Sequence, residues 1–285
     1  MGITNAEIGR LFDKYAHLQY KPLGMYFASE LPDVPKGKIR VQHILPNWCI
    51  PATAFAAARH GKISVVSGDR GCVGGRWWTG FSHYPPRGIS VFLAKGGVDN
   101  SFGGRGERIK KTPALGACVI KNPGPVKQPP GTRYICFQRL REIPDDRMIE
   151  YVLFFCKPND MLKIVSFIHF GRSDVSIVRA PAGSGCQGIV TFPLLMAEEP
   201  VPDAVMGMWD PLANRRMPKH MQTIAVRRWL VAEFAPDIPE TYVNHVPVFT
   251  LRSEIPILFK KAWKSLHRCK ELGNGTRSQV KQNLP

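Results

Sequence analysis

Three common site signatures are missing from this chain. No two cysteines form a CxxC, there is no HExxH and no GxSxG, and the eight histidines are scattered. No paired-ligand zinc framework, histidine-based metal site or serine triad can therefore be named. Long apolar runs are missing too. The longest strongly apolar stretch, "YVLFF" at 151–155, falls far short of the roughly 20 residues a membrane span needs. The amino terminus lacks a charged-then-apolar signal pattern, and "MGITNA" puts Ala6 where myristoylation needs Ser or Thr. The expectation is a cytoplasmic protein without a membrane partner. Neither "FGGRGERI" nor "GSGCQGIV" completes GxGxxG or GxxxxGK[ST], so a nucleotide-binding loop is not indicated.

What is present is a chain of 285 residues, 44% hydrophobic and 21% charged, enough for one large domain or two halves of about 130 residues. Its formal charge of +17, from 39 Lys plus Arg against 22 Asp plus Glu, predicts attraction to an anionic partner. Nucleic acid, an acidic protein and an anionic small molecule all qualify. Seven widely spread cysteines point to thiols, metal or redox chemistry rather than a disulfide framework.

Periodicity predicts an amphipathic helix over 6–19 with Asn5 as cap, and strands at 22–29 and 38–45. Cys49 follows, with Pro51 and an alanine run starting a helix that "RHG" ends. A strand at 62–69 enters a glycine-rich loop, 68–81, containing Cys72. A Pro-rich connection at 120–134 is expected to divide an N-terminal half, 1–119, from a C-terminal half, 135–259, with a basic tail over 260–285. Two strands and a helix from about Pro158 to His169 follow the connection.

The second half repeats the first in outline: strand, cysteine (Cys186), apolar helix, strand, loop. Counting from the cysteines, 23 residues separate Cys49 from Cys72 and 24 separate Cys186 from Asp210, so Asp210 takes a fourth position. The expected fold is α/β or α+β, with two similar pseudo-repeat halves in one domain of mixed layers.

The segments "CIPATAFAAARHGKISVVSGDRGCVGGRWWTGF", "YVLFFCKPNDMLKIVSF" and "PAGSGCQGIVTFPLLMAEEPVPDAVMGMWDPLANRR" resemble the archaeal and bacterial family catalogued as domain of unknown function 169. The likeness covers roughly residues 20–245. It implies a shared fold and family positions for Cys49, Cys72 and Cys186. At Asp210 the resemblance implies a cysteine in some relatives and not in others.

Four cysteines have a structural reading. Cys118, Cys136 and Cys156 lie in apolar, strand-like runs and Cys269 in the tail, and a free thiol is ordinarily a small buried hydrophobe. Cys49, Cys72 and Cys186 differ, standing at helix starts or in a glycine loop, where a thiolate is stabilised or accessible. Their wide spacing favours an iron–sulfur cluster, [4Fe–4S], over zinc. Glycines 71, 74, 75, 183, 185 and 188 would let backbone amides approach sulfide.

The expected function is electron transfer or redox-linked ligand binding at a cluster held by Cys49, Cys72, Cys186 and Asp210. Arg70, Arg76, Arg215 and Arg216 would attract an anionic small molecule or an acidic redox partner. Two alternatives stand beside it. One is nucleic-acid binding through the basic surface and "GGRWWTGFSHYPPR"; the other is cysteine catalysis without metal, with Cys49 as nucleophile.

Overall fold

All six residues of Tyr151–Cys156 are buried, and a strand buried on both faces requires a packing layer on each side. In the computed structural model, Tyr151, Leu153 and Phe155 enter one apolar cluster and Val152, Phe154 and Cys156 another, following the period of two along a strand. The structure describes residues 2–33, 40–42 (backbone only), 49–69, 71–94, 108–196, 204–208 and 217–244. Among these, eight strands form one mixed sheet: β1 (Leu23–Ala28), β2 (Arg40–Gln42), β3 (Ile63–Ser67), β4 (Tyr134–Arg139), β5 (Tyr151–Cys156), β6 (Val178–Arg179), β7 (Ala204–Gly207) and β8 (Gln222–Arg227).

The first cluster packs α2 (Ile50–His60), α3 (Val73–Trp78), α4 (Ile89–Ala94), α5 (Pro113–Lys121) and the helical segment after Cys186, which ends as α7 (Phe192–Met196), on one face. On the other lie α1 (Asn5–Leu11), α6 (Pro158–Ile168) and α8 (Arg228–Phe234). The result is a three-layer α/β architecture, in agreement with the expected class. No helix among the described residues is long and apolar enough to cross a membrane.

The strand order, β2-β3-β4-β1-β5-β8-β7-β6, has the same connections from either edge. A short edge strand runs parallel to its neighbour, β2 with β3 and β6 with β7. Antiparallel pairings then lead inward through β4 to β1 and through β8 to β5. β1 and β5 meet antiparallel at the centre. In each half the parallel pair is joined through a helical segment with a cysteine at its start, α2 after Cys49 and the segment from Gly185 to Met196 that carries Cys186.

Local chemistry departs from several expectations. Thr4, not Asn5, caps α1: its hydroxyl accepts from the Glu7 amide while the Glu7 carboxylate accepts from the Thr4 amide. Asn5 is buried instead, accepting from Arg228 Nε at 3.2 Å. The helix expected to reach residue 19 becomes a π turn at Phe12–Ala16 and stops at His17, whose φ is 49°. Lys163 Nζ donates to the Ala16 carbonyl at 2.9 Å there.

The glycine-rich 68–81 loop contains α3, and Cys118 is exposed on α5 rather than enclosed in a strand. The connection at 120–134 leads into β4, which inserts between β3 and β1. Val126 is buried there, and Gln128 Nε2 donates to the Thr79 carbonyl at 2.6 Å.

α2 ends at Gly61, with φ of 68°, and an added Cβ would meet Arg139 Nη1 at 2.9 Å. Gly61→Ala is therefore expected to cost about 1–2 kcal/mol through left-handed strain alone. A lower urea midpoint with unchanged m-value would show it; an unchanged midpoint would contradict it.

Candidate thiol site

Cys49, Cys72 and Cys186 all stand at helix starts on the same face of the sheet. Cys49 is the N-cap of α2, half-buried against the first apolar cluster. Pro51 suits the first turn because its missing N–H would have no intrahelical partner there. Below it, Thr53 Oγ1 donates to the Ile50 carbonyl and accepts from Ser64 Oγ at 3.0 Å, tying α2 to β3.

Cys72 is the N-cap of α3, and its Sγ accepts the Gly75 N–H at 3.2 Å. A Cβ at Gly75 would lie 2.9 Å from Cys72 Sγ and 2.7 Å from Ile50 Cδ1. Glycine at 75 thus lets the Cys72 sulfur and the first residue of α2 share one small space.

Cys186 is 6% exposed and belongs to the same apolar cluster as Ile50, Trp77 and Trp78. The helical segment holding it begins at Gly185 and passes through a π turn, Gln187–Thr191, into α7. Ser184 and Gln187 cap it reciprocally: the Ser184 amide donates to Gln187 Oε1 at 2.9 Å and the Gln187 amide to Ser184 Oγ at 3.3 Å. Tyr151, whose phenol burial holds well above its ordinary pKa, donates its hydroxyl to the Ile189 carbonyl inside the π turn. Thr191 Oγ1 donates to the Trp78 carbonyl at 3.0 Å, linking this segment to α3. None of these partners carries a sequence signature beyond "SGCQ", whose S-x-x-Q is capping-box spacing.

Backbone N–H groups and the positive end of a helix favour thiolate over thiol. The arrangement therefore suits thiolate chemistry at three helix starts. Among the described residues no three His, Cys, Asp or Glu side chains are grouped to hold a metal ion. An iron–sulfur core places each thiolate on a different iron, so its ligands stand farther apart than those of a single ion.

Cys136 and Cys156 are buried in the opposite cluster, and burial, with Asp160 adding to it, pushes the Cys156 thiol well above its ordinary pKa. Asp210, Arg70, Arg215, Arg216 and Cys269 lie outside the described residues. Arg76 is on α3, where Nη1 donates to the Gly68 carbonyl at 3.4 Å and Nε is buried with no hydrogen-bond partner among the described residues. Trp77 and Trp78 are 9% and 1% exposed, so this pair packs mainly into the core.

The ladders give the two segments a second alignment. Taking Arg139 and Arg227, the last residues of β4 and β8, as counterparts, the registers carry Val66 onto Gly207. Three residues beyond these in the sequence stand Asp69 and Asp210. Strand register thus matches Asp210 with the exposed Asp69, whereas counting from the cysteines matched it with Cys72.

A three-layer α/β protein with three helix-start cysteines on one face is the class that fold and site define. The family described as Uncharacterised ArCR, domain of unknown function 169, matches residues 12–233, and the chain belongs to it. No curated protein and no solved structure matches the chain.

Proposed function

We propose that this is an iron–sulfur protein acting in electron transfer or redox-linked ligand binding. In this reading Cys49, Cys72 and Cys186 hold a [4Fe–4S] cluster and Asp210 is its fourth, oxygen ligand. The observation that carries the reading is that these three thiols stand at helix starts, Cys49 and Cys186 against one apolar cluster and Cys72 beside Gly75 and Ile50 of that cluster, while Cys136 and Cys156 are enclosed on the opposite face.

A bound cluster supplies one-electron exchange. The chain contributes thiolates favoured by backbone dipoles, an N–H bond to the Cys72 sulfur, and apolar walls that limit water, the factors that set a cluster's potential. Arg70, Arg76, Arg215 and Arg216 would draw an anionic ligand or acidic partner to the cysteine loops. Iron and acid-labile sulfide in protein purified without oxygen test the reading. Both should be present in near-equal amounts, with a broad visible absorption that bleaches on reduction; absence of both overturns it.

Asp210 has its own test. A carboxylate holds iron less firmly than a thiolate, so Asp210→Cys should retain the cluster and change its reduction potential, and Asp210→Ala should leave iron labile. Unchanged iron content and potential in Asp210→Ala would make Asp210 no more than the start of an Asp–Pro turn.

A further inference from the structure

The two helical segments with Cys49 and Cys186 at their starts are held at their far ends by one device used twice. β4 ends at Arg139, with φ −55° and ψ 129°, and the chain turns there into a short 3₁₀ segment. β8 ends at Arg227, with φ −53° and ψ 136°, and turns there into α8. Arg139 Nη2 donates at 3.1 Å to the carbonyls of both Ala58 and Arg59, in the last turn of α2. Arg227 Nη2 donates to the Met196 carbonyl, the last of α7. Both guanidinium groups bury Nε. The matching extends from strand position and backbone angles to the atoms bonded, although "QRLRE" and "VRRWL" share little beyond the arginine.

The last carbonyls of a helix lack intrahelical partners, and a guanidinium can satisfy them while adding a favourable charge at the negative end. A helix is stiff along its axis. Fixing its carboxyl end to the end of a neighbouring strand therefore sets how far its first residue reaches across the sheet.

We infer that Arg139 and Arg227 are paired positioning residues for the thiol site, Arg139 setting the place of Cys49 and Arg227 that of Cys186. The inference rests on reading these two cysteines as working thiols. Its experiment is separable from the iron measurement because it is done on metal-free, reduced full-length protein.

Site-resolved iodoacetamide labelling, followed by mass spectrometry, gives the alkylation rate of each cysteine in Arg139→Ala, Arg139→Lys, Arg227→Ala and Arg227→Lys. The Arg139 variants should change the Cys49 rate several-fold and leave Cys186 at its parent rate. The Arg227 variants should do the reverse, with Lys, which lacks the planar fork, giving the smaller change in each case. General loosening of the fold would move both rates together. A common shift of both cysteines, or no shift of either, overturns the inference. Should an Ala variant not fold, the same crossed pattern is required of the Lys variant. Parent protein that holds no iron but shows the crossed pattern would refute the cluster and keep the positioning role.

Discussion

Serine in place of Cys49, Cys72 or Cys186 will strip most of the iron from the protein, while serine at Cys118, Cys136, Cys156 or Cys269 will leave iron at the parent level. A serine hydroxyl is a harder and less acidic donor than a thiol, and it binds cluster iron poorly where cysteine thiolate binds it well. The second set separates by position. Cys118 is exposed on α5, and Cys136 and Cys156 are buried on the face shared with α1, α6 and α8. Stability should run the other way. A hydroxyl at Cys136 or Cys156 enters an apolar cluster at a cost of about 1–3 kcal/mol, so these variants should melt earlier with iron intact. Iron per chain by elemental analysis, beside a thermal scan, reads both effects. Iron retained in any of the first three serine variants would remove that cysteine from the ligand set.

Gly207→Ala will destabilise the packing of the Cys186 segment on β7. Its added Cβ would lie 2.9 Å from Gly188 Cα and 3.0 Å from both the Gly188 carbonyl oxygen and Thr223 Oγ1. Two of these three neighbours are backbone, so relief requires the helical segment carrying Cys186 to lift from β7. Overpacking of this kind costs about 1–3 kcal/mol. Gly188→Ala should cost less, since its nearest approaches are 3.1 and 3.2 Å. Urea unfolding of both variants checks the order. A Gly207→Ala midpoint equal to the parent's would mean that the close packing of the Cys186 segment on β7 is not required.

Much of the fold is legible in local pattern. The sequence pattern predicts α6 from about Pro158 to His169 and the helix spans Pro158–Ile168, because proline in the first turn and apolar spacing agree. α2 is similarly plain, with Pro51 near its start and Gly61 at its end. Where local signals conflict, the reading fails. "CVGGRWW" is rich in glycine and reads as loop, yet Trp77 and Trp78 bury enough surface to make it α3. Cys118 lies in "LGACVI", whose apolar run fits a strand as well as a helix; Thr112, accepting from the Leu115 amide, sets the helix.

Strand order was not legible at all. The insertion of β4 between β3 and β1 is decided by pairing between residues far apart in sequence. The cysteines stand out in the sequence because each adjoins a helix start or a glycine cluster. Arg139 and Arg227 do not, since their role depends on carbonyls that only the folded chain brings within reach.

The central claim, that Cys49, Cys72 and Cys186 serve one cluster, is tested most directly by thiol protection in the unaltered protein. Protein purified without oxygen is labelled with iodoacetamide under native conditions before and after iron is removed by a chelator, and each cysteine is read by mass spectrometry. The account predicts that the three are protected together while iron is bound and that iron removal exposes Cys49 and Cys72 together, with the buried Cys186 reacting more slowly and Cys118 reactive throughout. Labelling of Cys49 or Cys72 that is indifferent to iron, or iron removal that leaves all three unchanged, would contradict it.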